Sequence, residues 1–107
     1  MTTKIKFNDQ VYQLLKQVPP GKVTTYKALA QALNSQAYRA VGQAMRRNPF
    51  APQVPCHRVV SSTGAIGGFK GQKSGQTVDE KIRLLTKEGI KIKNNQVQNF
   101  VSVLHQF

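Results

Sequence analysis

The chain has 107 residues, room for one compact domain around one core. Hydrophobic residues make up 39% of it with no Trp, which excludes a disordered chain and suits a small globular fold. Sixteen basic residues against four acidic ones give a net charge of +12, which points to a polyanionic partner.

The distribution of charge says more than its total. No acidic side chain lies between Asp9 and Asp79, while Lys16, Lys22, Lys27, Arg39, Arg46, Arg47, Arg58, Lys70 and Lys73 all fall in that interval. Such a segment attracts nucleic acid, with an affinity that drops steeply as salt rises, because binding releases condensed cations. No apolar run approaches the ~18 residues of a membrane span. Residues 1–7 carry no apolar signal core, so a soluble, cytoplasmic protein that does not engage membranes is expected. A single Cys excludes an internal disulfide and a multi-cysteine zinc site; with His57 and His105 as the only imidazoles, no metal site is expected.

Phe7, Val11, Leu14, Leu15 and Val18 recur at helical spacing and predict an amphipathic helix over roughly 8–18, ended by Pro19-Pro20-Gly21. Thr24 and Thr25 can cap a second short helix with Tyr26, Leu29, Ala30 and Leu33 inward. After a break at Asn34-Ser35, which offers a capping residue, a third helix is expected over about 36–47. The pair, spanning about 25–47, reads as a helix-turn-helix with the later helix in the recognition position. Ala37, Ala40, Gly42 and Ala44 are small enough for close approach to a surface, and Arg39, Arg46 and Arg47 can reach phosphates or a groove; tight helix–helix packing would use the same small residues.

Asn48-Pro49 stops that helix, and Pro52 and Pro55 keep the next stretch extended, so residues 54–60 are expected as a strand or extended segment. Ser61 to Gly64 then turns into 65–69 as its hairpin partner. A Gly-, Ser- and Lys-rich loop follows, over about 69–76. Thr77-Val78-Asp79-Glu80 reads as a capping box opening a helix over about 77–88, with Ile82 and Leu85 inward and Gly89 at its end. The alternation Ile90-Lys91-Ile92-Lys93, the turn Asn94-Asn95 and Val97 suggest a terminal hairpin. The whole is expected as one domain, 1–107, of α+β class and mainly helical: a winged helix-turn-helix-like DNA-binding fold with a small β-hairpin.

The chemistry concentrates in Pro55-Cys56-His57-Arg58-Val59-Val60. A thiol attacks as its thiolate, and free Cys ionises near ~8.5, so activation requires a nearby cation, a base or helix dipoles. His57 and Arg58 supply such groups next in sequence. Successive residues on a strand point to opposite faces, so a direct Cys–His pair is not implied, and a bridging water is the better relay. On spacing alone a reactive Cys56 and an inert, buried one both stay open.

Residues 55–60 are similar to the active-site motif of the O6-alkylguanine-DNA alkyltransferases. The match extends through Pro20-Gly21-Lys22-Val23-Thr24-Thr25-Tyr26, Arg39-Ala40-Val41-Gly42-Gln43-Ala44-Met45-Arg46-Arg47-Asn48-Pro49, Gly64-Ala65-Ile66-Gly67-Gly68-Phe69, Leu84-Leu85 and Glu88-Gly89. It covers about residues 7–92 and resembles the C-terminal, active-site domain of those proteins. The resemblance implies a methylated-DNA–protein-cysteine S-methyltransferase that acts once per molecule, without cofactor. It would flip O6-alkylguanine, and also O4-alkylthymine, out of double-stranded DNA and move the alkyl group onto Cys56.

By the same resemblance His57, through water, would draw off the thiol proton, and Glu88 would orient His57. Asn48 would be the hinge between recognition helix and active-site segment, and Tyr26 would aid flipping. Arg39 would fill the gap left in the duplex, with Ala37, Ala40, Arg46 and Arg47 at the DNA. Met45, Val59, Phe69 and Lys70 would line the pocket.

Three departures stand out. Phe69 sits where many members have a tyrosine, so the wall is kept without a hydroxyl. The loop after it is about five residues longer than the family pattern, and Lys70 and Lys73 within it could touch DNA. The N-terminal domain most members carry is not expected here. A monomer is expected, with cooperative binding along DNA left open. Two other readings compete: an alkyltransferase-like protein that recognises the lesion without transfer, which would replace the acceptor cysteine, and a winged-helix DNA-binding regulator.

Overall fold

The computed structural model describes residues 7–50, 53–66 and 76–107, the side chains of 76 and 77 excepted. Helix α1 (Phe7–Leu15) buries Val11, Tyr12 and Leu15, one stripe at helical spacing. It ends three residues short of the expected Val18, which is nonetheless fully buried through a turn in which its N–H donates to Leu15 O. The chain then reverses at Pro19-Pro20-Gly21-Lys22. Lys22 N–H closes the turn on Pro19 O, and Gly21 takes φ +89°, the left-handed value that the third residue of a type II turn requires.

Strand β1 (Thr24–Thr25) leads straight into α2 (Tyr26–Ala32), where Thr25 is the N-cap and its Oγ1 accepts from Ala28 N–H at 2.9 Å. Leu29 and Ala30 are buried, with Tyr26 and Leu33 packed at the edge of the same cluster, as their spacing predicts. Asn34 ends α2 in the left-handed region (φ 54°), and the bonds Asn34 N–H to Gln31 O and Ser35 N–H to Ala30 O form a Schellman closure. Helix α3 (Tyr38–Arg46) follows, two residues later than expected. Its N-cap is Ala37, and Ser35 Oγ instead accepts from Ala37 N–H ahead of the helix. Together α2 and α3 form the helix-turn-helix.

The segment after α3 departs from the expectation. Residues 56–58 form a 3₁₀ turn (Cys56–Arg58), and only Val59–Val60 is strand, β2. Moreover β2 pairs in parallel with β1 (Thr24 opposite Val59, Thr25 opposite Val60). The turn does form, with Gly64 N–H donating to Ser61 O and Ser61 N–H to Ala65 O, and beyond it Ala65 bridges to Gln96 and Ile66 N–H donates to Asn95 O. Local turn chemistry predicts a reversal, and only tertiary contacts choose the strand that receives it. The rest of the expected second arm, 67–69, and the loop through 75 lie outside the described residues.

Helix α4 (Gln76–Lys87) begins one residue before the expected start, so Thr77 lies inside the helix. Leu85 is fully buried and Ile82 packs beside it. Strands β3 (Ile92–Lys93) and β4 (Gln96–Val97) make the terminal hairpin through Asn94 and Asn95, both at positive φ, as a two-residue type I′ turn demands. A short helix α5 (Phe100–Val103), not anticipated, returns the chain to β1: Val23 N–H donates to Val103 O and His105 N–H to Val23 O.

The parallel pair β1–β2 divides the interior. Val59 joins the cluster formed by α1, α2 and α3, whereas Val60 joins the one formed with α4 and the hairpin, because neighbouring strand residues face opposite ways. Fully burying side chains such as Leu15, Leu29 and Leu85 contributes about 1.5–3 kcal/mol each.

The end of α4 is set by Gly89 at φ +93°, with Gly89 N–H on Thr86 O and Ile90 N–H on Leu85 O. No atom stands within 4 Å of a Cβ built there, so the cost of a side chain is conformational alone. Gly89→Ala is expected to destabilise by about 1 kcal/mol and lower Tm by about 4–8 °C, with Gly89→Asn losing less. Calorimetry checks this, and an unchanged Tm for Gly89→Ala would contradict the left-handed closure.

Candidate functional site

Glu88 occupies the C-cap of α4, one residue before the glycine that terminates the helix. Its carboxylate collects both residues that follow Cys56. Arg58 binds it with two bonds, Nε to Oε1 at 2.9 Å and Nη2 to Oε2 at 2.6 Å, and His57 Nε2 lies 2.9 Å from Oε2. The third nitrogen of the guanidinium, Nη1, donates to Val18 O at 2.8 Å, reaching the exit of α1. The turn at 19–22 also lies against this point, since a Cβ on Gly21 would stand 3.6 Å from Glu88 O. One carboxylate thus joins the 3₁₀ turn and the end of α4, and through Arg58 the end of α1.

Electrostatics follow from this packing. Burial by itself would raise the Glu88 carboxyl; the hydrogen bonds from Arg58 and His57 outweigh it and hold the group below its ordinary value. Burial pushes the His57 imidazole below its ordinary value, and although Glu88 pulls the other way, burial prevails. His57 is therefore neutral at pH 7. An ionised carboxylate can only accept, so the imidazole proton sits on Nε2, and Nδ1 keeps its lone pair.

Cys56 is 7% exposed and belongs to the same buried cluster as Met45 and Val59, with Tyr26 packed at its edge. Burial, followed by the charge of Cys56, raises the Tyr26 hydroxyl, so Tyr26 stays protonated. Lys81 is also enclosed, 1% exposed, and its Nζ donates to Val59 O at 2.7 Å and Ile66 O at 2.5 Å. Burial lowers the Lys81 ammonium to about 8, partly offset by the charge of Cys56.

Asn48 closes α3 and reaches across to the Cys56 segment: Nδ2 donates to Val54 O at 2.8 Å, while Oδ1 accepts from Phe50 N–H at 2.9 Å. Cys56 N–H in turn donates to Val54 O at 2.8 Å. Tyr12 ties α1 to the same end of α3 by donating from its hydroxyl to Ala44 O at 2.8 Å.

Of the residues singled out in the sequence, Cys56, His57, Glu88, Asn48, Tyr26, Met45 and Val59 are drawn together. Ala37, Arg39, Arg46 and Arg47 are exposed on α3, with Ala40 half-buried. Phe69 and Lys70 lie outside the described residues. Two participants were not singled out. Arg58 was read only as a cation near Cys56, and Lys81 drew no reading; nothing in a single sequence distinguishes a buried lysine from a solvated one.

Below about pH 8 the folded state holds a charged Lys81 at a cost that the unfolded chain, titrating at 10.5, does not bear. Between those values the unfolded state binds more protons, so stability rises with pH. Denaturant titrations of the protein and Lys81→Met from pH 7 to 10.5 are expected to show the wild-type-minus-variant difference growing by about 3 kcal/mol. A difference that stays flat would show that Lys81 is not held near 8.

Residues 6–90 match the family described as 6-O-methylguanine DNA methyltransferase, DNA binding domain. The methylated-DNA–protein-cysteine methyltransferase of Rattus norvegicus is 51% identical over 86 residues, which are 78% of this chain and 39% of the rat protein. The chain thus spans about two fifths of that curated relative. Among solved structures, S. pombe Atl1 in complex with damaged DNA containing O6-carboxymethylguanine superposes with a TM-score of 0.80 at 27% identity, covering 94% of this chain and 95% of Atl1. Mycobacterium tuberculosis OGT in complex with DNA superposes with a TM-score of 0.69 at 33% identity, covering 80% of this chain and 51% of that one.

Proposed function

The chain belongs to the 6-O-methylguanine DNA methyltransferase family through its DNA-binding domain, and on that premise we propose that it repairs O6-alkylguanine in double-stranded DNA by moving the alkyl group onto Cys56. The observation that carries this reading is the set His57–Glu88–Arg58 assembled immediately behind the only cysteine. An inert thiol needs no oriented neutral imidazole beside it. On this reading the matched segment contains the active site as well as the DNA-binding helices, and corresponds to the C-terminal domain of the longer relatives.

The chemistry runs as follows. Neutral His57, its Nε2–H held by Glu88, accepts the Cys56 proton at Nδ1 through a water molecule. The thiolate attacks the alkyl carbon in line, an S–C bond forms, the C–O6 bond breaks, and its electron pair leaves with the purine. The guanine recovers a proton and returns to the duplex, while the thioether is a poor leaving group and no turnover follows. Reaching O6 requires the nucleotide to leave the stack, at a cost of a few kcal/mol. Exposed Arg39 would fill the gap, and Ala37, Ala40, Arg46 and Arg47 would face the backbone and groove. Tyr26 and Met45 would hold the everted base, Val59 O would read its edge, and Asn48 would keep α3 in register with Cys56. O4-alkylthymine presents the same leaving group on a smaller base. Phe69 and Lys70 would complete the wall. Among the described residues no helix is long and apolar enough to cross a membrane, and a substrate of duplex DNA implies an intracellular, DNA-associated protein.

The near end-to-end superposition on Atl1 favours a second reading, recognition of the lesion without transfer. Intact and peptide mass spectrometry after incubation with an O6-methylguanine duplex or free benzylguanine separates them. Transfer predicts one alkyl adduct, located on Cys56 and absent in Cys56→Ser; duplex binding with no mass shift favours recognition alone.

The pH profile tests the relay. The rate of transfer is expected to fall in acid with a midpoint below ~6.5, because burial lowers His57. Glu88→Gln should slow transfer by about 10²-fold or more and move that acid limb to still lower pH, since the carboxylate raises His57. A variant with unaltered rate and profile would remove Glu88 from the mechanism.

A further inference from the structure

Helix α3 carries an aromatic side chain that neither the core nor the proposed reaction absorbs. Tyr38 is 43% exposed on its first turn, and among the described residues no ring stacks on it and no group hydrogen-bonds its side chain. Gln36, Ala37 and Arg39 around it are exposed as well, so nothing shields the ring.

Its register gives it a direction. Positions 38, 42 and 45 fall on one row of a helix, here Tyr38, Gly42 and Met45. Gly42 is bare backbone, with no atom within 4 Å of a Cβ built on it. Met45 is 8% exposed and packs in the cluster that contains Cys56. The row therefore runs from an exposed ring, over an open glycine, to the wall beside the sulfur. At 1.5 Å per residue its ends lie about 10 Å apart, too far for both to hold one base. The adjacent row presents Arg39 and Arg46, exposed cations in a stretch without acids.

We propose that Tyr38 is a second DNA-contacting side chain of α3, whose ring stacks on a base still within the duplex while the everted base stands beside Met45. This rests on the reading of α3 as the DNA-binding helix. Stacking on an aromatic face tolerates any base, so Tyr38 contributes affinity and holds the duplex open without selecting sequence. Arg39 beside it supplies charge to the phosphates or the gap, and the two act on neighbouring positions.

Lacking Trp, the chain reports on its three tyrosines directly. Titration with an O6-methylguanine duplex is expected to quench tyrosine emission, and Tyr38→Phe to remove part of that quench. In anisotropy measurements Tyr38→Ala should weaken duplex binding about ten-fold, and Tyr38→Phe by less than about two-fold. The preference for duplex over free benzylguanine in adduct formation should fall with the alanine variant in proportion. Wild-type binding by Tyr38→Ala overturns this proposal while leaving the reading of α3 intact. Equal losses in the alanine and phenylalanine variants overturn it in favour of a hydroxyl contact. A wild-type chain that fails to bind duplex removes both readings together.

Discussion

A carboxylate that is only partly accessible to water must be paired, and Glu88 is paired twice from the same three-residue turn. Arg58 grips it with two bonds and extends a third to the carbonyl of Val18, while His57 lies against its remaining face. Because the donors come from the turn that also carries Cys56, the position of the sulfur depends on where α4 ends. That end is set by the left-handed Gly89 and the closure of Ile90 on Leu85. A helix terminus thereby controls the orientation of an imidazole on another element, and charge-assisted bonds make the control stiff.

Around this contact the fold gathers two unlike environments. Toward the helix-turn-helix are Met45, Val59 and Tyr26, which are apolar or neutral. Toward α4 is the Lys81 ammonium, buried and held by two backbone carbonyls. A charged lysine in such a place is costly to stability, and the chain retains it. Its carbonyl partners are Val59, in the strand that follows the Cys56 turn, and Ile66, at the far side of the Ser61–Gly64 turn. The lysine thus clamps the segment that leaves the site, much as Asn48 clamps through Val54 the segment that enters it.

Helix α3 shows how a nine-residue element serves two surfaces. Val41, Ala44 and Met45 face the core, and the arginines face outward, with Gly42 and Ala40 between them. Small residues at that border keep the backbone close to whatever lies outside.

Much was legible from the sequence alone. Positive charge without intervening acids, helical spacing in α1, α2 and α3, the Thr25 cap, the Asn-Asn hairpin and the Gly89 terminus are local matters, decided by side-chain period, backbone freedom and capping chemistry. Cys56 and His57 were also legible, as adjacent residues whose chemistry is suggestive by type. What only the tertiary structure decided involves partners distant in the chain. The parallel pairing of β2 with β1 was one, since turn residues announce a reversal but not the strand that receives it. Arg58 as the second ligand of Glu88, Asn48 on Val54 and the burial of Lys81 were others. Each is a contact between elements brought together by packing, and a charge in a sequence carries no mark of whether water or a carbonyl will solvate it.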